Sequence, residues 1–228
     1  MPNRPCANFA LAKGMVRKLI PESSINILHI TARTVNRELF PLPLAQIWPI
    51  FEDYLYFANK AHNMRIYSFV LMPNHIHLIA RFPDKNIRET MCYFMGETSR
   101  RISELSCRKN QIYGGRYHRS VITTDRYFRH AYKYVYRNPV KASLCNKVEE
   151  YPFSTLYGLV GNGTLSIPVE EDTLLFYDGI NFAAIDWLNK KPADIHQDEI
   201  RRALRRQIFE LPRNKNTTKS SDLETADF

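Results

Sequence analysis

The stretch "MRIYSFVLMPNHIHLIARFP" (residues 64–83) contains two apolar runs that are separated only by Pro73 and Asn74. Each run has the length and the β-branched and aromatic content of a strand. A proline followed by an asparagine is typical of a tight turn, because proline fixes one backbone angle and asparagine tolerates unusual ones. The stretch therefore predicts two strands that lie next to each other in one sheet.

The segments on either side of this hairpin alternate between strand and helix patterns. The predicted elements are a strand over 25–34, a helix over 44–63, a basic amphipathic helix over 86–107, a glycine-led strand over 111–124 and a helix over 125–137. With the hairpin, the order is β-α-β-β-α-β-α. This order predicts the α+β class, as a ferredoxin-like split β-α-β sandwich with an antiparallel sheet and helices on one face.

The chain divides into four parts on the same pattern. Residues 1–24 form a lead-in without strong periodicity, 25–157 form the main domain, 158–212 form an extension with a second basic helix over 198–211, and 213–228 form a polar tail. The tail has no apolar periodicity, so we expect it to be disordered.

The chain is basic, with a formal net charge of +9, and its positive charge is concentrated in one segment. Between Lys85 and Lys147 there are 14 lysines and arginines against 4 acidic residues. Such an excess favours a polyanionic partner, either nucleic acid or an anionic membrane surface.

No run of about 18 apolar residues is present and no secretory signal is recognisable, so we expect a cytoplasmic protein. Four cysteines without a CxxC pair fit a reduced compartment.

His75 and His77 are two residues apart on a predicted strand, so their side chains project from the same face. Two imidazoles spaced by about 6–7 Å of backbone can converge on one metal ion. Two half-exposed histidines without a metal remain the alternative interpretation of this pair.

Tyr134 and Asn138 are four apart on the helix over 125–137, and therefore lie one turn from each other on one face. Pro139 predicts that the helix ends near Asn138, whose amide would then either cap the helix or offer a neutral oxygen ligand. Tyr132 and Tyr136 form a separate i, i+4 stripe, which is typical of core packing. Tyr134 lies on the polar side of the helix.

Several of these segments resemble a known family. "LMPNHIHLIA" (71–80) resembles the His-hydrophobic-His motif of the HUH nucleases, and "YKYVYRNPVKASL" (132–144) resembles the tyrosine helix of their single-tyrosine transposases. "GGRYHRSVI" (114–122) and "YPFST" (151–155) are similar to segments of the REP-associated tyrosine transposases, bacterial proteins linked to repeated extragenic palindromes. The resemblance covers about residues 25–157.

The resemblance implies that Tyr134 is the nucleophile of a DNA endonuclease and strand transferase that forms a 5′-phosphotyrosine intermediate. It implies that His75 and His77 are metal ligands with Asn138 as the third, where some relatives have glutamine. The expected cofactor is Mg²⁺ or Mn²⁺, although zinc can bind the same histidines. The expected substrate is single-stranded DNA with a palindromic hairpin. The sequence does not decide between a monomer and a homodimer.

The basic segment is expected to hold the DNA strand through its phosphates. The candidate contact residues are Arg100, Arg101, Arg116, Tyr117, Arg119, Arg126, Arg129, Lys133 and Arg137. Tyr113 and Tyr117 are either base-stacking platforms or ordinary strand aromatics. Lys133, His130 and Arg137 are candidates for favouring the phenolate of Tyr134. The "RRALRR" segment (201–206) is either a solvated charged face or a second DNA contact.

Three other functions compete with a strand transferase. A DNA- or RNA-binding module of ferredoxin-like fold accounts for the basic charge, but it leaves the two histidines, Tyr134 and Asn138 unexplained as a set. A domesticated homologue would bind its palindrome without moving it. A metal-dependent hydrolase would use water in place of tyrosine, and a covalent protein–DNA adduct would exclude it.

Overall fold

The computed structural model describes residues 21–172 and 182–211. The elements are β1 (Ile27–Arg33), α1 (Leu44–His62), β2 (Arg65–Met72), β3 (His75–Arg81), α2 (Ile87–Ser106), β4 (His118–Ile122), α3 (Asp125–Lys141), α4 (Thr155–Leu159), α5 (Phe182–Asn189) and α6 (Asp194–Ala203). Most of the predicted lead-in and the predicted disordered tail lie outside the described residues. No described helix is long and apolar enough to cross a membrane.

The four strands form one antiparallel sheet in the order β2-β3-β1-β4. The turn at Pro73 and Asn74 brings Met72 opposite His75, so the hairpin has the predicted position. The ferredoxin-like order of elements and the α+β class are confirmed.

Alternate residues of the sheet pack into two different cores. Ile30 of β1 and Leu78 of β3 face α1 and α2, where they meet Phe51 and Phe94. Ile79, next to Leu78, faces the other side and joins the core under α3. The expectation of helices on one face is therefore wrong, because α3 and the described segments after it cover the second face.

The predicted end of α3 at Asn138 is also wrong, because Pro139 lies inside the helix, which continues to Lys141. Proline has no N–H to donate to the carbonyl four residues earlier. Here the side-chain Nδ2 of Asn138 donates to the backbone oxygen of Tyr134 at 2.8 Å and to that of Val135 at 3.5 Å. The amide therefore supplies a donor where the proline removes one, and Asn138 stays on the same face as Tyr134.

The second basic helix differs from its prediction over 198–211. α6 spans Asp194–Ala203, and the chain after it runs beside the edge strand β4. The N–H of Val121 donates to the oxygen of Gln207, and the N–H of Phe209 donates to the oxygen of Val121, both at 2.8 Å. These backbone groups would bond to each other if the helix continued. Here they bond to the free edge of β4 instead. It also fixes α6 beside the sheet.

The "YPFST" segment covers the other edge strand, β2. The hydroxyl of Tyr151 donates to the oxygen of Leu71 at 2.7 Å, and the N–H of Leu71 donates to the oxygen of Phe153 at 2.9 Å. Tyr151 is buried, so the loss of its hydroxyl would leave an unsatisfied carbonyl.

We expect Tyr151→Phe to lower the free energy of unfolding by about 1–2 kcal/mol, the net value of a buried hydrogen bond plus part of the desolvation cost of its partner. Urea denaturation followed by circular dichroism measures this. Tyr157→Phe, on the more exposed helix α4, is the control and should change stability by less than about 0.5 kcal/mol. Equal stability of Tyr151→Phe and the wild type would contradict the structural role of this bond.

Candidate active site

Three histidines meet on the face of the sheet that α3 covers. The rings of His75 and His77 on β3 lie 4.9 Å apart between centroids. His29 of β1 stacks on His77 at 5.2 Å, and its Nε2 lies 3.0 Å from Nδ1 of His77. The predicted pair does converge, and a third imidazole that the sequence analysis did not single out supports it.

The hydrogen bonds orient the ring of His75. Nδ2 of Asn74 donates to the backbone oxygen of Arg37 at 2.9 Å, so the amide turns its oxygen toward His75. Nδ1 of His75 lies 2.6 Å from that oxygen and is therefore the donor. The lone pair of His75 is left on Nε2, which is the atom that can bind a metal. A histidine fixed in this way through its other nitrogen is typical of metal sites.

His77 is buried and its Nε2 has no hydrogen-bond partner, although a buried polar atom without a partner is costly. If Nδ1 of His77 donates to Nε2 of His29, then Nε2 of His77 also carries a lone pair. Two nitrogen lone pairs without protein partners are then available on neighbouring rings. This is the arrangement that a bound cation would satisfy.

The three imidazoles are held neutral. Burial lowers the pKa of His29 to about 3, with His118 and His75 adding to the shift. Burial and the charge of Arg33 lower the pKa of His75 to about 4. Burial, and then the neighbouring rings and Arg33, place the pKa of His77 well below its usual value. Neutral rings can bind a metal ion without first losing a proton.

These shifts predict a dependence of stability on pH for the metal-free protein. The histidines bind protons with a pKa near 6.5 when the chain is unfolded, but only at lower pH when it is folded. Between about pH 6 and pH 4 the unfolded chain therefore binds more protons, and the free energy of unfolding falls as the pH falls. Each such histidine contributes about 1.4 kcal/mol per pH unit.

We expect His29→Gln to reduce this slope by about 1.4 kcal/mol per pH unit, because one buried neutral imidazole is removed. Urea denaturation in EDTA at several pH values measures the slope. His62→Gln, at the end of α1 on the other face of the sheet, is the control and should keep the wild-type slope. A slope that His29→Gln leaves unchanged would mean that His29 is not held neutral by the fold.

Tyr134 lies on the side of α3 that faces the histidines. Its ring meets His77 edge-on at 5.7 Å and His29 edge-on at 6.2 Å between centroids. Tyr132 and Tyr136, in contrast, are fully buried in the core under α3, as predicted. Burial raises the pKa of the Tyr134 phenol, and the positive charges of Arg201, Arg33 and Arg205 oppose that rise.

A cleft of about 820 Å³ opens above these residues, and His75, His77, Tyr134 and Asn138 all line it. The cations that line it are Arg33, Arg37, Arg116, Lys141, Arg201 and Arg205. No Asp or Glu lines the cleft within the described ranges 21–172 and 182–211. A concave surface with one sign of charge concentrates ligands of the opposite sign, here anions.

Of the predicted DNA contacts, only Arg116 lines this cleft. Arg100 and Arg101 lie on α2, across the sheet, where Arg100 pairs with Glu97 at 2.6 Å and with Glu104 at 2.7 Å. Arg119 also points to that side and lies 3.8 Å from Glu22. These three arginines are therefore not brought to the site, because α2 and the side chain of Arg119 both lie on the other side of the sheet.

The remaining predicted contacts fall into two groups. Lys133 and Arg137 donate to backbone oxygens at the end of α5, those of Trp187, Leu188 and Asn189. The cations that act on Tyr134 are thus on β1 and near α6, not within its own helix. Arg126 and Arg129, at the start of α3, do not line the cleft.

The two candidate base-stacking tyrosines both pack against the hydrophobic core. Tyr113 is buried, with its hydroxyl 2.9 Å from Oγ1 of Thr98 and its ring against Phe40, so it is an ordinary core aromatic. Tyr117 is half-buried and packs against the core under α1 and α2, away from the cleft.

The sequence matches the family model described as "Transposase IS200 like" over residues 26–138. The match contains both histidines of β3 and Tyr134, and it ends at Asn138. Residues 26–138 of this chain are therefore similar to the IS200-like transposases. The resemblance stated from the motifs is thereby confirmed.

Two relatives show how far the likeness extends. The REP-associated tyrosine transposase of Escherichia coli (strain K12) is 27% identical over 122 residues, which are 54% of this chain and 72% of that protein. A solved structure described as a REP-associated tyrosine transposase bound to a REP hairpin has 21% identity and a TM-score of 0.56, covering 73% of this chain and 98% of the other. At this identity the structural likeness shows the shared fold.

A divalent cation at this site would need the amide oxygen of Asn138 in addition to the two imidazoles. In the part of the chain that the structure describes, no three residues among His, Cys, Asp and Glu are arranged to hold a metal ion. The available donors are Nε2 of His75, Nε2 of His77 and the amide oxygen of Asn138, whose nitrogen is already engaged. Neutral nitrogen and oxygen donors leave positions for water and for a phosphate oxygen.

His29 and Arg33 are site residues that were not singled out from the sequence, whereas Arg201 and Arg205 belong to the "RRALRR" segment, for which a second DNA contact was one of two interpretations. His29, Thr31 and Arg33 alternate along "ILHITAR", so they share the strand face that β1 presents beside His77. That alternation is a usable signal once β1 is placed next to β3. For Arg201 and Arg205 no local signal decides between these two interpretations, because their place depends on the pairing of the following segment with β4.

Proposed function

We propose that this protein cleaves and rejoins single-stranded DNA beside a palindromic hairpin, with Tyr134 as the nucleophile. The observation that carries the proposal is the position of Tyr134: its ring lies edge-on to His77 and His29, on the wall of a cleft that six cations line. A tyrosine that only packed the core would lie with Tyr132 and Tyr136 on the opposite side of the helix.

The chemistry follows from the groups present. The phenol oxygen of Tyr134 attacks the scissile phosphorus, a new O–P bond forms, and the bond from phosphorus to the 3′ oxygen breaks. The phenol loses its proton and the departing 3′ oxygen gains one, so the step is balanced. The 5′-phosphotyrosine bond keeps a phosphodiester, and a second 3′-hydroxyl attacks it to rejoin a strand without ATP.

The arginines on the cleft wall have two roles in this proposal. Arg33, Arg201 and Arg205 bind the phosphates on either side of the scissile bond, and their charge lowers the cost of ionising the buried phenol. His75, His77 and Asn138 would hold Mg²⁺ or Mn²⁺, whose charge polarises a non-bridging phosphate oxygen. His29 then acts as the acceptor that keeps His77 oriented.

The DNA partner is proposed from the relatives and the charge together. The solved relative is described as bound to a REP hairpin, and the curated relative is a REP-associated transposase. The nucleophile and both histidines of the site come from one chain, so the site does not require a second copy. We therefore propose that a monomer is sufficient for cleavage.

The test is a covalent-adduct assay. The full chain is incubated with a fluorescent oligonucleotide that carries a palindromic hairpin and single-stranded flanks, with Mn²⁺ or with EDTA. We expect an adduct that survives denaturing electrophoresis only with the metal, and a free 3′-hydroxyl on the released strand. Tight binding without any adduct would instead identify a non-catalytic DNA-binding protein. Cleavage without adduct would identify a hydrolase that uses water.

A further inference from the structure

A second pocket of about 220 Å³ lies behind Tyr134, between α3, the end of α5 and the start of α6. Tyr134, Asn138 and Lys141 line both this pocket and the catalytic cleft. The two cavities are therefore neighbours that share a wall. A DNA strand that passes Tyr134 can reach both of them.

The lining of this pocket is strongly cationic. Its basic residues are Lys133, Arg137, Lys141, Lys190 and Lys191. Among described residues, no carboxylate lines the pocket, although Asp198 lies 3.9 Å from Lys141 and 3.7 Å from Arg201. Burial, with Arg137 and Lys190 adding to the shift, lowers the pKa of Lys133 to about 8. A cluster of cations on one concave surface favours a bound anion.

The same pocket has an apolar side. Trp187 and Ile200 line it, and Nζ of Lys133 lies 4.7 Å from the centroid of the Trp187 ring. The volume is below the roughly 300 Å³ at which pockets for drug-sized ligands begin, so the pocket suits a ligand no larger than a single nucleotide. An aromatic ring beside lysines is the combination that holds unpaired nucleotides, by stacking and by phosphate contact.

We propose that this pocket binds one unpaired nucleotide of the DNA strand adjacent to the scissile phosphate, with its base against Trp187 and its phosphate near Lys190. The inference rests on the proposed function for the identity of the strand. It assigns a role to the extension after residue 158, which supplies α5 and α6. Holding a neighbouring nucleotide there fixes which phosphate lies in front of Tyr134.

Trp187 is itself a reporter for this proposal. The chain has two tryptophans. Trp48 packs against Phe69 and Phe153 on the other face of the sheet, so a Trp48→Phe protein reports on Trp187 alone. In EDTA, a hairpin oligonucleotide with a single-stranded flank should change the emission of Trp187, and the same hairpin without the flank should not. An unchanged emission while the flanked hairpin binds, as judged by anisotropy, would overturn the proposal.

Two variants test the contacts separately. Trp187→Ala should weaken binding of the flanked hairpin about fivefold or more, the cost of one lost stacking contact. Lys190→Gln, at an exposed position, should lower the slope of log affinity against log salt by about 0.7, one phosphate contact on a single strand. Lys60→Gln on α1 is the matched control and should leave the slope unchanged. A Lys190→Gln slope equal to that of Lys60→Gln would contradict the phosphate contact.

These outcomes separate this inference from the proposed function. Suppose that an adduct forms at Tyr134 while the Trp187 emission and the salt slope of Lys190→Gln stay unchanged. This result would refute the nucleotide pocket alone. A change in Trp187 emission without any adduct would support the nucleotide pocket and refute the role of Tyr134 as the nucleophile.

Discussion

Tyr134→Phe is expected to abolish the covalent protein–DNA adduct and to reduce strand cleavage by about 10⁴-fold or more, since a missing nucleophile removes the chemical step itself. The ring of Phe keeps the edge contacts with His77 and His29, so the cleft should keep its shape. Affinity for the hairpin oligonucleotide should therefore stay close to that of the wild type. Denaturing electrophoresis measures the adduct, and fluorescence anisotropy in EDTA measures the affinity.

Tyr132→Phe and Tyr136→Phe are the matched controls for this prediction, because both tyrosines lie on the same helix but in the core. Tyr136→Phe loses a hydrogen bond of 2.9 Å to Oγ1 of Thr155, and should cost about 1 kcal/mol of stability while still forming the adduct. Adduct formation by Tyr134→Phe would place the nucleophile elsewhere and would refute the proposed mechanism.

The sheet and its first two helices could be predicted from local pattern. The hairpin around Pro73 has its strand-like apolar runs and its turn residues in one short stretch. Its position can therefore be predicted without knowledge of distant segments. The same holds for the pairing of His75 and His77 on one face. These features depend on the alternation of side chains along a strand, which the sequence displays directly.

The two predicted helix ends were wrong for different reasons, one local and one that depends on a distant segment. Pro139 predicts a helix end, but the amide of Asn138 provides a local substitute for the lost donor and α3 continues. α6 stops at Ala203 because the next residues pair with the edge of β4, an interaction with a strand more than 80 residues earlier. Local propensity does not contain that information.

The basic residues of the site also divide into those that local sequence pattern could place and those that it could not. Most of the predicted DNA contacts were basic residues near the catalytic motifs in the chain, but Arg100, Arg101 and Arg119 lie on the far side of the sheet. Arg201 and Arg205, more than 60 residues after Tyr134, lie on the cleft wall instead and act on its phenol together with Arg33. Proximity in sequence is a weak guide here, because each strand and helix presents its side chains to opposite sides.

His77→Ala is expected to remove both Mn²⁺ binding and DNA cleavage, because Nε2 of His77 is a buried donor without a protein partner and lies beside Tyr134. Electron paramagnetic resonance of Mn²⁺ measures binding independently of activity. His29→Gln, which alters only the partner of His77, should weaken Mn²⁺ binding by about 10- to 100-fold.

The controls for this prediction separate ligand loss from unfolding. His75→Ala replaces the more exposed ring of the pair and should also lose Mn²⁺ binding, with a smaller cost in stability because its side chain is only partly buried. His62→Ala, whose ring stacks on Tyr93 across the sheet, should bind Mn²⁺ and cleave as the wild type does. Wild-type Mn²⁺ affinity in folded His75→Ala and His77→Ala proteins would show that the imidazoles are not the ligands, and Tyr134 would then need the cleft arginines alone to form its phenolate.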